Sequence, residues 1–129
     1  MQLIQDAKDI AAATVWLAND DDVMARAADL RDAPAVMLHF PKWTDGRAYS
    51  QAVLLRGRLR YGGEILAHGE VLIDMLPLLR RCGFDAVQLR ADQDAEAAAR
   101  ALELLPRPFN GHYQGDAAGG RPLYARLAA

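Results

Sequence analysis

The sequence predicts an α/β fold, a small and mostly parallel sheet of about four strand–helix units. Three observations carry that prediction. Short apolar runs at 13–17, 35–40, 64–69 and 84–89 are each followed by apolar residues at helical spacing. The connections are short, and strands that alternate with helices imply parallel pairing through helical crossovers. The run Ala35–Phe40 is continuous rather than alternating, as in a strand covered on both faces. Units of this kind form either an open layered sheet or half of a (β/α) barrel, and periodicity does not choose between them.

The first unit is the run Ala13–Leu17, stopped by Asn19-Asp20-Asp21-Asp22. Acidic groups there suit the first turn of a helix, where unpaired N–H groups favour negative charge. Val23, Met24, Ala27 and Leu30 repeat at helical spacing until Asp32 and Pro34 end the pattern. In the second unit Pro41 closes the strand, and Asp45-Gly46 marks a turn. A helix runs from Tyr49, or from as early as Arg47, to Arg60, with Ser50 as a candidate cap. Ala52, Leu55 and Leu59 form its apolar stripe, with Gln51, Arg56 and Arg60 mostly off it.

Tyr61-Gly62-Gly63 ends that helix, and Glu64–Gly69 is the third strand. Pro77 would clash inside a helix begun at Glu70, so the sequence predicts a turn over 69–73 and a helix capped by Asp74. Gly83 is the matching stop. After the fourth strand, Asp92 or Asp94 opens a helix to about Leu105, its apolar face made of Ala95, Ala98, Ala99, Leu102 and Leu105. Residues 1–105 thus read as one α/β domain. Residues 106–129 are a Pro/Gly-rich tail anchored by Phe109, Tyr113, Leu123 and Tyr124, expected to pack on the domain or on a partner subunit.

Composition narrows the function classes. With 129 residues, 52 % of them hydrophobic and 25 % charged, the bulk of the chain is expected to be a folded globular domain rather than disordered. One cysteine rules out a disulfide framework. A formal charge of −2 gives no general pull toward nucleic acid or a membrane surface. Asp6 and Asp9 interrupt the N-terminus, which argues against a secretory signal, and a cytoplasmic location is expected. Cys82 stands at a helix C-terminus, where the dipole opposes a thiolate, and reads as a packing residue.

No GxGxxG, P-loop, GxSxG, HExxH or CxxC pattern occurs, and His39, His68 and His112 are not at metal-ligand spacing. No metal site is expected, and nothing marks a nicotinamide, iron–sulfur or haem cofactor; a flavin held without a motif stays open. The chemically richest stretch is Phe40–Ser50, which follows a strand and runs into a helix, where parallel α/β folds bind ligands. Arg47, Thr44, Tyr49, Ser50 and the free N–H groups of the helix start suit a small oxyanion. The competing reading makes Asp45-Gly46 a turn, with Arg47 paired to a local acid. His68, Tyr49, Glu64 and Asp74 are the candidate catalytic groups, with His68 able to act as acid or base near neutral pH.

The stretch from Phe40 to Leu89 resembles the DUF934 family of small bacterial proteins. The resemblance rests on Phe40-Pro41, Asp45-Gly46-Arg47, Tyr49-Ser50, Gly63-Glu64, Gly69, Val71-Leu72, Asp74 and Arg81-Cys82-Gly83-Phe84-Asp85. Ala48, Leu66, Glu70 and Met75 depart from the family's usual Gly, Arg, Asp and Gln, which weakens a shared polar site built on those positions. Members are often labelled oxidoreductases of sulfite reduction because their genes commonly accompany sulfite reductase. The resemblance thus implies an accessory protein of assimilatory sulfite reduction that binds a sulfur oxyanion or the reductase itself. The alternatives are a small enzyme acting on an anionic substrate, with Arg47 orienting and His68 or Tyr49 moving protons, and a homo-oligomeric scaffold without a small ligand.

Overall fold

A computed structural model of the chain describes residues 1–105, so the expected tail lies outside the described residues. Five strands form one open sheet: β1 (Gln2–Leu3), β2 (Val15–Leu17), β3 (Ala35–Phe40), β4 (Glu64–Gly69) and β5 (Ala86–Val87). Their order is β1-β5-β4-β3-β2, and every pairing is parallel. The helices are α1 (Ala27–Arg31), α2 (Arg47–Gly57), α3 (Leu76–Cys82) and α4 (Ala95–Glu103). The open sheet, not the half barrel, is therefore the architecture. Periodicity had no means of finding β1, which is two residues long. It is held by Gln2 N–H donating to the Asp85 carbonyl at 2.9 Å and Ile4 N–H to the Val87 carbonyl at 2.8 Å.

From β2 to β5 each strand lies beside its successor, always advancing in one direction. Right-handed crossovers at each step place the connecting helices on one face of the sheet. Packing agrees with this. The main core joins Leu30 of α1, Leu55 of α2, Leu76 and Leu79 of α3 and Ala98 of α4 to Val36, Leu38, Phe40, Ile65, Ala67 and Val87. The alternate strand residues Ala35, Met37, Leu66 and Ala86 point the other way and cluster with Ile4 and Ile10. Both faces of β3 are thus apolar and covered, which explains its unbroken hydrophobic run.

Several element starts differ from expectation. The segment after β2 first makes a 3-10 turn, Met24–Arg26, and Asp22 accepts the N–H groups of Met24 (3.0 Å) and Ala25 (3.3 Å). Helix α2 begins at Arg47, the earlier of the two starts expected, and it is the Asp45 carboxylate that accepts the Arg47 N–H, at 3.1 Å. Ser50 consequently sits within the helix, exposed, and is not a cap. Asp74 is not a cap either: it lies in a 3-10 turn, Ile73–Met75, and α3 starts one residue later than expected, with Pro77 in its first turn. Gly83, at φ 106°, ends α3 as predicted, and Asp94 caps α4 by accepting the Glu96 N–H at 2.9 Å.

The largest departure concerns two polar residues placed off the apolar stripe of α2. Gln51 and Arg56 are both buried. Gln51 donates to the carbonyls of Ala18 (2.9 Å) and Asp21 (3.0 Å), tying α2 to the loop after β2. Arg56 donates to the carbonyls of Gly83 (3.1 and 2.9 Å), Tyr61 (2.8 Å) and Gly63 (2.8 Å) and to the Asp85 carboxylate (2.5 Å). Asp85 in turn accepts the Ile65 N–H at 2.8 Å. One guanidinium thereby fastens the end of α2, the start of β4 and the approach to β5. A buried charge is tolerated when its donors are satisfied in this way.

Candidate functional site

Because all five strands run parallel, their C-terminal ends share one edge of the sheet. The Arg56 network occupies the opposite edge. The C-terminal rim is built from the loops after β2, β3, β4 and β5, the region where open parallel sheets bind ligands.

Asp45 and Arg47 meet there as an ion pair. The Arg47 guanidinium donates to both Asp45 oxygens, from Nη2 at 2.8 Å and from Nε at 3.1 and 3.3 Å. Asn19 of the loop after β2 donates to the same carboxylate at 2.8 Å. The side-chain and backbone bonds from Arg47, with a smaller contribution from Asn19, hold the Asp45 carboxyl well below the usual carboxylate range. Arg47 is 61 % exposed, yet its charge is closed on its neighbour. Arg90 is likewise closed on Asp92, at 2.7 and 2.8 Å, with Glu70 a further 3.9 Å contact. The rim's arginines are thus committed to carboxylates. An oxyanion would have to compete for Arg47 rather than find it vacant.

Thr44 and Ser50 are exposed, whereas Tyr49 is half-buried with its ring edge against Phe40 at 5.0 Å. Burial pushes the Tyr49 hydroxyl up from its ordinary pKa, which disfavours proton release at neutral pH. Glu64 is the first residue of β4 and lies at the far end from Gly69, five residues or roughly 16 Å along the strand. It borders instead a cleft of about 330 Å³ lined by Gln2, Ile4, Asp9, Ala35 and Leu66. Arg47 belongs to the helical layer, and His68 points to the opposite face of the sheet. Among the described residues no hydrogen bond, ion pair or ring contact joins Arg47, His68, Glu64 and Asp74 to one another.

His68 has other neighbours. β3 and β4 pair so that His39 lies directly beside His68, and their rings stack at 4.6 Å between centroids and 22° between planes. The Trp16 indole meets His68 edge-on at 5.0 Å. Burial, and then the adjacent His39, push the His68 imidazole down to about 4, so it is neutral at physiological pH. A neutral ring of that kind is not a proton donor of the general-acid type near pH 7.

The chain then turns at Gly69, whose φ of 102° is in the left-handed region. A Cβ there would lie 2.3 Å from the Phe40 carbonyl oxygen, so glycine is required for β4 to end against β3. The next residue, Glu70, donates its N–H to that same carbonyl at 2.7 Å and accepts the Trp43 N–H on its side chain at 3.1 Å. Trp16 meets β4 through His68 and Trp43 meets Glu70 through its backbone, and the two residues are 52 % and 54 % exposed.

This grouping of Trp16, His39, His68 and Trp43 was not singled out from the sequence. A signal existed, because AVMLHF and EILAHG each carry histidine at the fifth position of a six-residue strand. Parallel neighbours starting in register place two such residues side by side. Among the described residues no group of three or more His, Cys, Asp or Glu side chains is placed to hold a metal ion, and no helix is long and apolar enough to cross a membrane.

The arrangement offers exposed Trp16 against the stacked His39 and His68 rings, with His68 held neutral. Comparison with known proteins gives one match. The family model for a bacterial protein of unknown function, DUF934, matches residues 14–124. No curated protein and no solved structure matches the chain.

Proposed function

The chain belongs to the DUF934 family, and on that premise we propose that it is an accessory protein of assimilatory sulfite reduction that works by docking the sulfite reductase at its C-terminal rim. The pathway comes from the label that members of the family often carry. The mode of action is argued from the rim. The observation that carries it is two tryptophans more than half exposed: Trp16, edge-on to His68 of β4, and Trp43 in the loop after β3, whose backbone N–H donates to Glu70. Exposed tryptophans on ordered backbone are the anchors that protein interfaces favour, because they bury much apolar area with little loss of side-chain freedom.

Binding of a sulfur oxyanion at Thr44, Arg47, Tyr49 and Ser50 is the secondary part of this reading. It is weakened by the Asp45 carboxylate that already occupies Arg47. The enzymatic alternative has less support, since Arg47 and His68 lie on opposite faces of the sheet and share no contact.

The test is a binding measurement between the full chain and purified sulfite reductase, with sulfite and sulfate titrated separately. The expected result is a complex at micromolar protein that Trp43→Ala weakens about tenfold or more, in the range of a single interface anchor. Sulfite binding stays in the millimolar range. Absence of a complex at micromolar concentrations contradicts the proposal.

A further inference from the structure

One crossing of the sheet is made without an α-helix. β1 and β2 lie at opposite edges, so residues 4–14 span the face away from the helices, roughly 19 Å at the usual spacing of strands. Ile4 and Ile10 pin that segment onto Ala35, Met37, Leu66 and Ala86. Between the two anchors it makes the 3-10 turn Ala7–Asp9, none of whose residues is buried. The cleft of about 330 Å³ lies between this segment and the sheet. Asp9 and Ala11 line it on one side, and Ala35, Glu64, Leu66 and Ala86 of the strands on the other. Strand register sets Glu64 beside Ala35, and Leu66 beside Ala86.

The cleft combines an apolar floor with negative charge that nothing offsets. Its charged residues are Asp9 and Glu64, and no Lys, Arg or His lines it. The cations nearest in the chain are Lys8, Arg60 and the Met1 amino group. None of them ion-pairs with either carboxylate among the described residues, and neither carboxylate accepts a hydrogen bond there. A further polar group is left over beside it. Thr14 is 7 % exposed and its hydroxyl has no hydrogen-bond partner among the described residues. Thr14 donates its N–H to the Ala11 carbonyl at 3.1 Å and, one step before the Val15–Val36 pair, adjoins Ala35. Both of those neighbours line the cleft.

We infer that this cleft binds a small organic cation, an alkylammonium or guanidinium head on a short apolar stem. The head pairs with Asp9 and Glu64, and the stem lies on Leu66 and Ala86. The volume suits a ligand of that size. A bare metal ion does not fit, because among the described residues no group of three or more His, Cys, Asp or Glu side chains is placed to hold one. An anion meets only carboxylates here. The site is separate from the C-terminal rim and does not depend on docking there.

The test is an NMR titration of the full chain with n-butylguanidinium chloride, with the neutral n-butylurea as its isosteric control. The expected result is saturable shifts of the amide signals of Gln2, Asp9, Ala35 and Glu64, with no comparable response to the urea. In the Asp9→Asn/Glu64→Gln variant, checked for folding by circular dichroism, affinity should fall about tenfold. If that variant does not fold, Asp9→Asn alone, on an exposed turn, should weaken binding about threefold. Shifts that do not saturate, that appear equally with the urea, or that centre on the C-terminal rim overturn the inference. So does an affinity unchanged in the folded variant.

Discussion

Arg47 and Arg56 open and nearly close the same helix, and their fates diverge. Arg47 is 61 % exposed and pairs with the carboxylate two residues before it. Arg56 is 7 % exposed and binds three backbone carbonyls and a carboxylate from a segment 29 residues distant. The same side chain is a surface ornament of one turn and a rivet between three segments. The difference lies in what surrounds each. Helix α2 ends against Tyr61, Gly63 and Gly83, whose carbonyls converge on one point, whereas it begins on an open edge. Both ends are tied, the rim through Gln51 and Asn19 and the opposite end through Arg56, but only the Arg56 end gathers three segments on one side chain.

The strongest way to break that comparison is to remove the rivet. Arg56→Ala leaves the carbonyls of Tyr61, Gly63 and Gly83 without their shared donor, while Asp85, 45 % exposed, is still reached by water. The expected loss is about 2–4 kcal/mol in urea unfolding, from several acceptors left unpaired. Arg56→Lys recovers only part of it, because an ammonium does not span the same carbonyls. A loss no larger than that of an exposed substitution contradicts the structural role.

Gly69→Ala comes next. It places a Cβ against the Phe40 carbonyl in a left-handed conformation, and about 2 kcal/mol or more of destabilisation is expected from the same assay.

A smaller effect follows from His68. Its folded-state pKa of about 4 lies below the ordinary 6.5, so the unfolded chain binds the proton more readily between those values. Stability should therefore fall as pH drops from about 6.5 to about 4, with no further contribution from this group below that. In His68→Gln the fall over this window should be shallower, and an NMR titration should place the His68 imidazole near 4. A midpoint near 6.5 contradicts the packed His39–His68–Trp16 arrangement. The smallest effect belongs to Arg47→Ala, whose exposed ion pair is screened by solvent. Its unfolding midpoint should stay close to that of the natural chain, in contrast to Arg56→Ala.

The same pair of arginines shows what the sequence makes legible. Helical spacing located α2 and its stripe through Ala52 and Leu55, and a glycine marked the end of α3. The pairing of Arg47 with a local acid was one of the readings open at that stage. Arg56 was misplaced as an off-stripe charge, because its burial depends on carbonyls at Tyr61, Gly63 and Gly83 that periodicity does not bring together. β1 was invisible for a related reason, since two residues acquire strand geometry only from the β5 edge they join. The candidate site was read from loop chemistry around Arg47. The cross-strand pair of His39 and His68 depends on strand register, which requires knowing which strands are neighbours. Glu64 was grouped with His68 and Asp74 as a candidate catalytic group, and as the first residue of β4 it stands at the other end of that strand from Gly69.

The measurement that bears most directly on docking at the C-terminal rim is hydrogen–deuterium exchange of the chain with and without purified sulfite reductase. The account predicts new protection in the segments around Trp16, Trp43 and Gly69, with unchanged exchange around Tyr61, Gly63 and Gly83. Protection confined to the Arg56 end, with Trp16 and Trp43 left as exposed as before, would contradict it.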